Sequence, residues 1–260
     1  MNRPPADPPR SALRRLWDEV GTFAVAVLLA LSIRAFIVEP YRIPSESMLP
    51  TLLVGDHLFV NKFAYGMKLP FSDFRLPSLR KPERGDVVVF NVTRDEHGGI
   101  YPVDKRPDLP KDQFVKRLVG LPGDLVEVRG EDLYINGEQV PREDTGQTFE
   151  DKDHRQLRIG RENLAGHVHA VLDEPHRSGP PLPPTRLPEG RYLMMGDNRD
   201  LSNDSRLWGT IRLADMKGPA FILYWSWDWD GPWLQLLNPL TWWDLLANRM
   251  RWGRIGHTIH

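Results

Sequence analysis

A run of 19 mostly apolar residues near the N-terminus most constrains how this chain can fold. It extends from Val20 to Val38, reads VGTFAVAVLLALSIRAFIV and holds a single charge, Arg34. A helix needs about 20 apolar residues to cross a bilayer, and Arg34 lies near the end, where its side chain can reach the headgroups. A buried core helix and a cleaved targeting segment are the alternatives. Because the run is apolar almost all round and no A-x-A cleavage site precedes EPYRIPS, the pattern predicts a retained transmembrane helix over residues 17–39.

The charges that flank this run predict its orientation. Residues 1–16 contain four arginines and one acidic residue, and the positive-inside rule keeps such a segment in the cytoplasm. Four prolines in the same segment favour a disordered tail. We therefore expect a cytoplasmic tail (1–16), a single-pass anchor (17–39) in the cytoplasmic (inner) membrane, and an extracytoplasmic region (40–260) on the outer, periplasmic side.

Composition narrows the chemistry that the chain can perform. The 34 Lys and Arg residues balance 35 Asp and Glu residues, for a net charge of -1, whereas nucleic-acid-binding proteins usually carry a basic excess. No nucleic-acid partner is therefore expected. The absence of cysteine excludes thiol catalysis, disulfides and cysteine-ligated zinc. His167 and His169 lack a clustered third ligand, so we expect neither a metal nor another cofactor.

Short apolar runs separated by turn residues follow the anchor, and they are rich in the Val, Ile, Phe and Tyr that strands favour. Asn136-Gly137 between two such runs is a strong hairpin signal. No second long helix is evident, so the predicted fold class is mainly β, with an antiparallel sheet in the region after the anchor. The strand candidates are HLFVNKF (57–63), DVVVFNV (86–92), QFVKRLVG (113–120), DLVEV (124–128), DLYINGEQV (132–140), RYLMMG (191–196) and AFILYW (220–225).

The middle of the chain has a different composition. Residues 141–190 are polar and rich in Pro, Arg, Glu and His, and the GPPLPPT segment (179–185) is expected to be loop or polyproline. We interpret this region as an insertion in the β core and predict an inserted cap subdomain over residues 125–190.

Tryptophan is concentrated at the C-terminus, where seven of the nine lie in the last 36 residues. Trp prefers the headgroup zone of a bilayer, although ordinary core or subunit packing explains the same pattern. The stretch LQLLNPLTWWDLL (234–246) is too short, and too broken by Pro239, to span a membrane. It is able to lie flat on one. Membrane contact and ordinary packing both stay open as interpretations of the tryptophans.

Two segments contain side chains suited to catalysis. Ser47 lies in PSESMLPTL (44–52), nine positions after Val38, so even an extended chain keeps it within roughly 30 Å of the helix end. Serines in turns are common, and this one alone is a weak signal. Lys116 and Arg117 lie on opposite faces of the strand QFVKRLVG, and since both faces are apolar, periodicity does not choose between them. Only lysine loses its proton when desolvated, so Lys116 is the candidate base.

A third segment, residues 196–206, concentrates Asp, Asn and Arg side chains to a degree that is unusual in a loop. Such a cluster suggests an ion-paired platform beside a site, with Asp204 and Arg206 able to pair. A solvated turn is the plain alternative.

Taken in order, these segments make the chain resemble the bacterial signal peptidase I family, the Ser/Lys-dyad leader peptidases. The resemblance covers residues 17–260, and four motifs in order are far more specific than any one alone. It implies a membrane-bound serine endopeptidase that removes signal peptides from exported preproteins without a cofactor. The motifs are PSESMLPTL (44–52), RGDVVVF (84–90), KRLVGLPGD (116–124) and GDNRDLSNDSRLWG (196–209), with the closing RWGRIG (251–256).

The resemblance also implies a role for several residues. Ser47 is the nucleophile and Lys116 the general base, while the Ser47 N–H and the Ser45 hydroxyl form an oxyanion hole. Ser202 hydrogen-bonds and orients the lysine. A shallow pocket for small side chains implies cleavage after a small-x-small motif. The remaining implied residues are the supporting pair Asp204 and Arg206 and the pocket residues Ile43, Met48 and Val115.

The implied partners are the signal peptides of secreted preproteins and the lipid bilayer, with delivery by the Sec/Tat export route. Two rival interpretations share part of the pattern. A self-cleaving repressor-type peptidase has a Ser/Lys dyad on a β fold, but the anchor and the lack of a DNA-binding region argue against it. A catalytically silent, membrane-anchored binding module on the same fold is the other, and the intact Ser47, Lys116 and Ser202 argue against that one.

Overall fold

The computed structural model describes residues 17, 20–29, 32, 37–66, 77–229, 231 and 238–259. The predicted cytoplasmic tail (1–16) lies outside these residues, and so does part of the predicted anchor. Residues 20–29 are helical. Among the described residues, no helix is both long enough and apolar enough to cross a membrane. The transmembrane anchor therefore stays a prediction.

Strands dominate the described residues, which confirms the mainly β class. They are β1 (Val38–Arg42), β2 (Asp56–Asn61), β3 (Val87–Arg94), β4 (Ile100–Tyr101), β5 (Lys111–Gly120), β6 (Leu125–Arg129), β7 (Asp132–Ile135), β8 (Glu138–Gln139), β9 (Arg142–Glu150), β10 (Gln156–Leu164), β11 (His167–Asp173), β12 (Leu182–Arg186), β13 (Arg191–Met195), β14 (Ile211–Arg212) and β15 (Met216–Ser226). Besides the helical residues 20–29, the described part of the chain has the helices Ser205–Trp208 and Pro239–Asp244, the π-helical turn Leu245–Arg249, and the 3-10 turns Glu46–Met48, Leu213–Asp215 and Trp252–Arg254.

The largest sheet has eight strands in the order β1-β2-β15-β3-β5-β13-β14, with β4 paired to β3. Its strand pairings are antiparallel, as predicted. Strand β3 is buried along most of its length, because Val88 and Phe90 pack in one apolar cluster while Val87 and Val89 pack in another. Burial on both faces explains why DVVVFNV is a continuous apolar run and does not alternate.

Two smaller antiparallel sheets lie between β5 and β13 in the sequence. One has the order β12-β6-β7-β8 and the other β11-β10-β9. The hairpin predicted at Asn136-Gly137 joins β7 to β8, and both turn residues have positive φ, 55° and 87°, as a type I′ turn requires. The division of the chain into tail, anchor, peptidase region and a cap over 125–190 stays a prediction.

The proline-rich segment 179–185 differs from the sequence expectation. Its second half belongs to β12 (Leu182–Arg186), which pairs with β6, so the prediction of loop or polyproline is wrong there. Strand β12 is at the edge of its sheet. Its pairing with β6 shifts register between Leu182 and Thr185, so Pro183 and Pro184 lie at an irregularity of an edge strand, where proline is tolerated.

Candidate active site

The turn that carries Ser47 is anchored by apolar side chains. Ser47 lies in the 3-10 turn Glu46–Met48, shortly after β1. Met48 and Leu52 are 1% and 0% exposed and belong to the same core cluster, and burying each contributes about 1.5–3 kcal/mol. Ser47 itself is half-buried, and its hydroxyl lies 3.4 Å from the hydroxyl of the exposed Ser45. The motif thus presents two hydroxyl groups on a turn that the core holds in place.

Lys116 is buried on β5, with only 3% of its surface exposed. Its Nζ atom lies 5.8 Å from the centroid of the Phe114 ring. Burial lowers the pKa of Lys116 to about 8, because an ammonium group loses its hydration there. The Asp204 carboxylate acts to raise this pKa and the Arg206 guanidinium to lower it. With such a pKa, about a tenth of the amines are neutral at pH 7, as a general base requires.

One cavity of about 600 Å³ brings Ser47 and Lys116 together. Other predicted site residues line it as well, namely Ser45, Ile43, Met48 and Val115. Ile43 and Met48 are almost fully buried, so they form walls behind the cavity surface. The cavity has further walls from Tyr41, Phe114, Arg155, Leu201 and Asn203.

Ser202 approaches the Ser47 turn at Gly196. A Cβ atom added to Gly196 would lie under 3 Å from both the Ser202 hydroxyl oxygen and the Ser47 carbonyl oxygen. The Ser202 hydroxyl is buried and has no hydrogen-bond partner among the described residues, so the hydrogen bond expected between Ser202 and Lys116 is not formed. Catalytic hydrogen bonds often tighten only when substrate is bound.

Asp204 and Arg206 form the predicted ion pair. Arg206 donates from Nε to Oδ1 and from Nη2 to Oδ2 of Asp204, at 2.9 and 2.8 Å, and both side chains are buried. Burial opposes the charge on Asp204, but the hydrogen bonds and charge of Arg206 hold the pKa of Asp204 below its usual value. Asp204 also accepts a hydrogen bond from the Gly196 N–H at 3.0 Å. The pair therefore fixes the glycine against which Ser202 and the Ser47 carbonyl lie.

A second buried pair, Arg117 with Asp197, was not identified from the sequence. The guanidinium donates to both carboxylate oxygens, at 2.8 and 2.7 Å, and to the Gly85 carbonyl at 2.7 Å. Asp197 also accepts from the Thr51 hydroxyl at 2.5 Å. The sequence feature that could have indicated this pair is Arg117 on an apolar strand face, because a buried arginine requires a carboxylate partner.

A third buried pair links strands β10 and β11 to the polar segment 196–206. Arg199 donates to both oxygens of Glu162 on β10, at 2.8 and 2.5 Å. His169 on β11 lies beside them, with Nε2 3.4 Å from Glu162 Oε1. Burial opposes the charge on Glu162, but Arg199 and His169 hold the pKa of that carboxyl well below its usual range. No local sequence signal marks Glu162 as a partner of this loop.

Comparison with known proteins identifies the family of the chain. The family described as "Signal peptidase, peptidase S26" matches residues 16–225. A signal peptidase I of Pseudomonas aeruginosa is 38% identical over 220 residues, covering 79% of this chain and 71% of that protein. A signal peptidase I of Rickettsia felis is 31% identical over 246 residues, covering 87% and 82%. A crystal structure of a signal peptidase I from Enterococcus faecalis aligns at 28% identity over 55% of this chain and 98% of that one, with a TM-score of 0.30.

These relationships place the chain among the peptidases, and its own described residues form a mainly β fold. It belongs to the signal peptidase S26 family, and the predicted resemblance to signal peptidase I is confirmed. The chain is accordingly a serine peptidase of the type that removes signal peptides.

Proposed function

We propose that the chain is a membrane-bound serine endopeptidase in which Ser47 attacks the scissile carbonyl and Lys116 is the general base. The observation that carries this proposal is Lys116, a buried lysine of lowered pKa in the same cavity as Ser47. A serine hydroxyl needs a base to attack an amide. The neutral amine of Lys116 takes the hydroxyl proton, and the acyl-enzyme forms as the C–N bond breaks.

Neighbouring groups then stabilise the oxyanion and transfer the protons. The Ser47 N–H and the Ser45 hydroxyl donate to the oxyanion, and such a donor is typically worth about 2.7–4 kcal/mol in the transition state. Lys116 gives its proton to the departing amine and later takes one from the water that hydrolyses the ester. Ser202 orients the Lys116 amine when substrate is bound, and the Asp204–Arg206 pair supports the loop that carries Ser202.

Substrate selection follows from the shape of the cavity. Ile43, Met48 and Val115 form apolar walls that admit small side chains, which supports cleavage after a small-x-small motif. Strand β13 pairs with β5 only at Arg117–Gly120. The preceding part of β5, up to Lys116, lines the cavity, and an extended signal peptide adds there as a further strand.

We place the enzyme in the bacterial cytoplasmic membrane, with the anchor (17–39) crossing once, the N-terminus in the cytoplasm and the catalytic region on the periplasmic side. Preproteins then arrive by the Sec/Tat export route. An aromatic surface supports contact with the bilayer, since Trp and Leu side chains there are 40–76% exposed and Trp favours the headgroup zone. These side chains are Trp242, Trp243, Leu246 and Trp252.

Cleavage of a purified preprotein in detergent tests this proposal, with Ser47→Ala and Lys116→Ala as comparison variants. Mature product from the wild type alone, cut after a small-x-small motif, is the expected result. Equal product from Lys116→Ala would refute the Ser/Lys mechanism. Binding of the preprotein without any cleavage by the wild type would favour the silent binding module.

A further inference from the structure

Glu46, the residue between the two site serines, is paired with cations from the turn that joins β9 to β10. Its carboxylate lies 3.5 Å from Lys152 Nζ and 3.6 Å from an Arg155 guanidinium nitrogen. The Glu46 side chain is only 19% exposed, and both Glu46 and Arg155 line the cavity that holds Ser47. Positive charge from a distant part of the chain is thus placed beside the nucleophile.

The turn is built to hold Arg155 in this position. Asp151 accepts hydrogen bonds from the backbone N–H groups of Asp153 and Arg155 and from Arg155 Nε, at 3.0, 2.9 and 2.6 Å. Arg155 also lies 3.0 Å from Asp153. Carboxylate oxygens of Glu46, Asp151 and Asp153 come within 4.8 Å of one another. Three such groups repel, and the cations of Arg155 and Lys152 compensate two of the three negative charges.

The position of Glu46 matters because negative charge develops next to it. Attack by Ser47 places an oxyanion at the Ser47 N–H and the Ser45 hydroxyl, one residue from Glu46 on either side. Neighbouring Cα atoms are about 3.8 Å apart, so the carboxylate lies within about 8–10 Å of the oxyanion. At that separation and an effective dielectric of about 20–40, an uncompensated carboxylate opposes the transition state by about tenfold in rate.

We infer that Arg155 and Lys152 neutralise Glu46 so that negative charge can develop on the oxyanion at Ser47. Neither cation touches the reacting atoms, so both act through Glu46 and are positioning residues. The inference rests on the proposed role of Ser47 as nucleophile.

Kinetics of a signal-peptide substrate with five variants test this inference. Arg155→Gln lowers kcat about tenfold with little change in KM, because the oxyanion exists only in the transition state. Glu46→Gln in the Arg155→Gln background restores kcat to within about threefold of wild type, since it removes the uncompensated charge. Lys152→Gln, whose side chain is 57% exposed, has a smaller effect that Glu46→Gln also reverses. Arg161→Gln, on the exposed part of β10, is the matched control and leaves kcat unchanged.

Rescue separates the charge effect from damage to the turn. If Arg155 only holds the turn together, Glu46→Gln does not restore kcat and the inference is overturned. An Arg155→Gln variant with unchanged kcat overturns it as well. If Arg155→Gln does not fold, the inference is tested by comparing kcat of the Lys152→Gln variant with kcat of the Lys152→Gln/Glu46→Gln double variant. A lowered kcat that the second substitution does not restore overturns the inference. A wild type that does not cleave, or a Ser47→Ala variant that does, counts against the proposed function and is recognised separately.

Discussion

The guanidinium of Arg117 holds the carboxylate of Asp197 by two hydrogen bonds, and neither side chain is accessible to solvent. Each residue adjoins a group of the candidate active site: Arg117 follows Lys116 on β5, and Asp197 follows Gly196. The pair therefore fixes the separation between the strand that carries the lysine and the loop that carries Ser202.

Removing one member of this pair is expected to destabilise the fold. Asp197→Ala leaves the Arg117 charge buried without its carboxylate partner, at a cost of about 3–5 kcal/mol in the free energy of unfolding. Asp108→Ala is the matched control, because its pair with Arg106 is exposed and contributes little to stability. Urea unfolding in detergent measures both. Equal losses for the two variants would contradict the structural role assigned to Arg117.

The strands were predicted well where the segment itself is rich in strand-forming residues. DVVVFNV and QFVKRLVG are rich in strand-forming residues and form β3 and β5. The prediction failed for β12 (Leu182–Arg186), because its prolines resemble a loop and only the pairing with β6 makes it a strand. Such a pairing is a tertiary contact that local propensity does not contain.

Residue chemistry and motif resemblance predicted part of the candidate site. Ser47 and Lys116 were singled out in this way, and they line one cavity. Arg117 was not assigned a partner, because Asp197 lies 80 positions away in the sequence. Both faces of the strand that carries Arg117 are apolar, so the strand pattern did not show which side chain is buried. The Glu162–Arg199 pair was missed for the same reason, since it joins β10 to a loop beyond the small sheets.

Gly196→Ala is expected to abolish most activity while leaving the fold largely intact. The added methyl group would lie under 3 Å from both the Ser202 hydroxyl and the Ser47 carbonyl oxygen, so it pushes the nucleophile turn away from Ser202. We expect a loss of at least about 100-fold in kcat/KM, because misplacement by about 1 Å can cost that much. Gly253→Ala, where nothing lies within 4 Å of the new methyl group, is the control. Equal activity of the two variants would show that Gly196 does not set this geometry.

The pH dependence of kcat/KM is expected to follow Lys116. In the proposed mechanism the neutral amine is the active form, and the pKa of Lys116 is about 8. The rate should therefore rise about tenfold per pH unit below pH 7 and level off above about pH 9. Cleavage of a peptide substrate between pH 6 and 10 measures this profile. A rate that is constant across this range, or that falls as pH rises to 8, would exclude Lys116 as the base.

Lys116→Met removes the proposed general base, and it is expected to make the protein more stable near neutral pH. The pKa of Lys116 is about 8 in the folded chain against an ordinary lysine pKa of 10.5, so between these values the unfolded chain binds more protons and stability rises with pH. Below pH 8 the wild type bears the full cost of a buried ammonium, which the variant lacks.

The expected gain for Lys116→Met is about 2–4 kcal/mol in the free energy of unfolding at pH 7. It should shrink as pH rises from 8 and approach zero above about pH 11.5, where the lysine is neutral in both states. Paired urea unfolding curves at pH 7 and pH 10 measure the difference between variant and wild type. A difference that does not change with pH would mean that desolvation of the ammonium does not set the pKa of Lys116, and the general-base assignment would lose its physical cause.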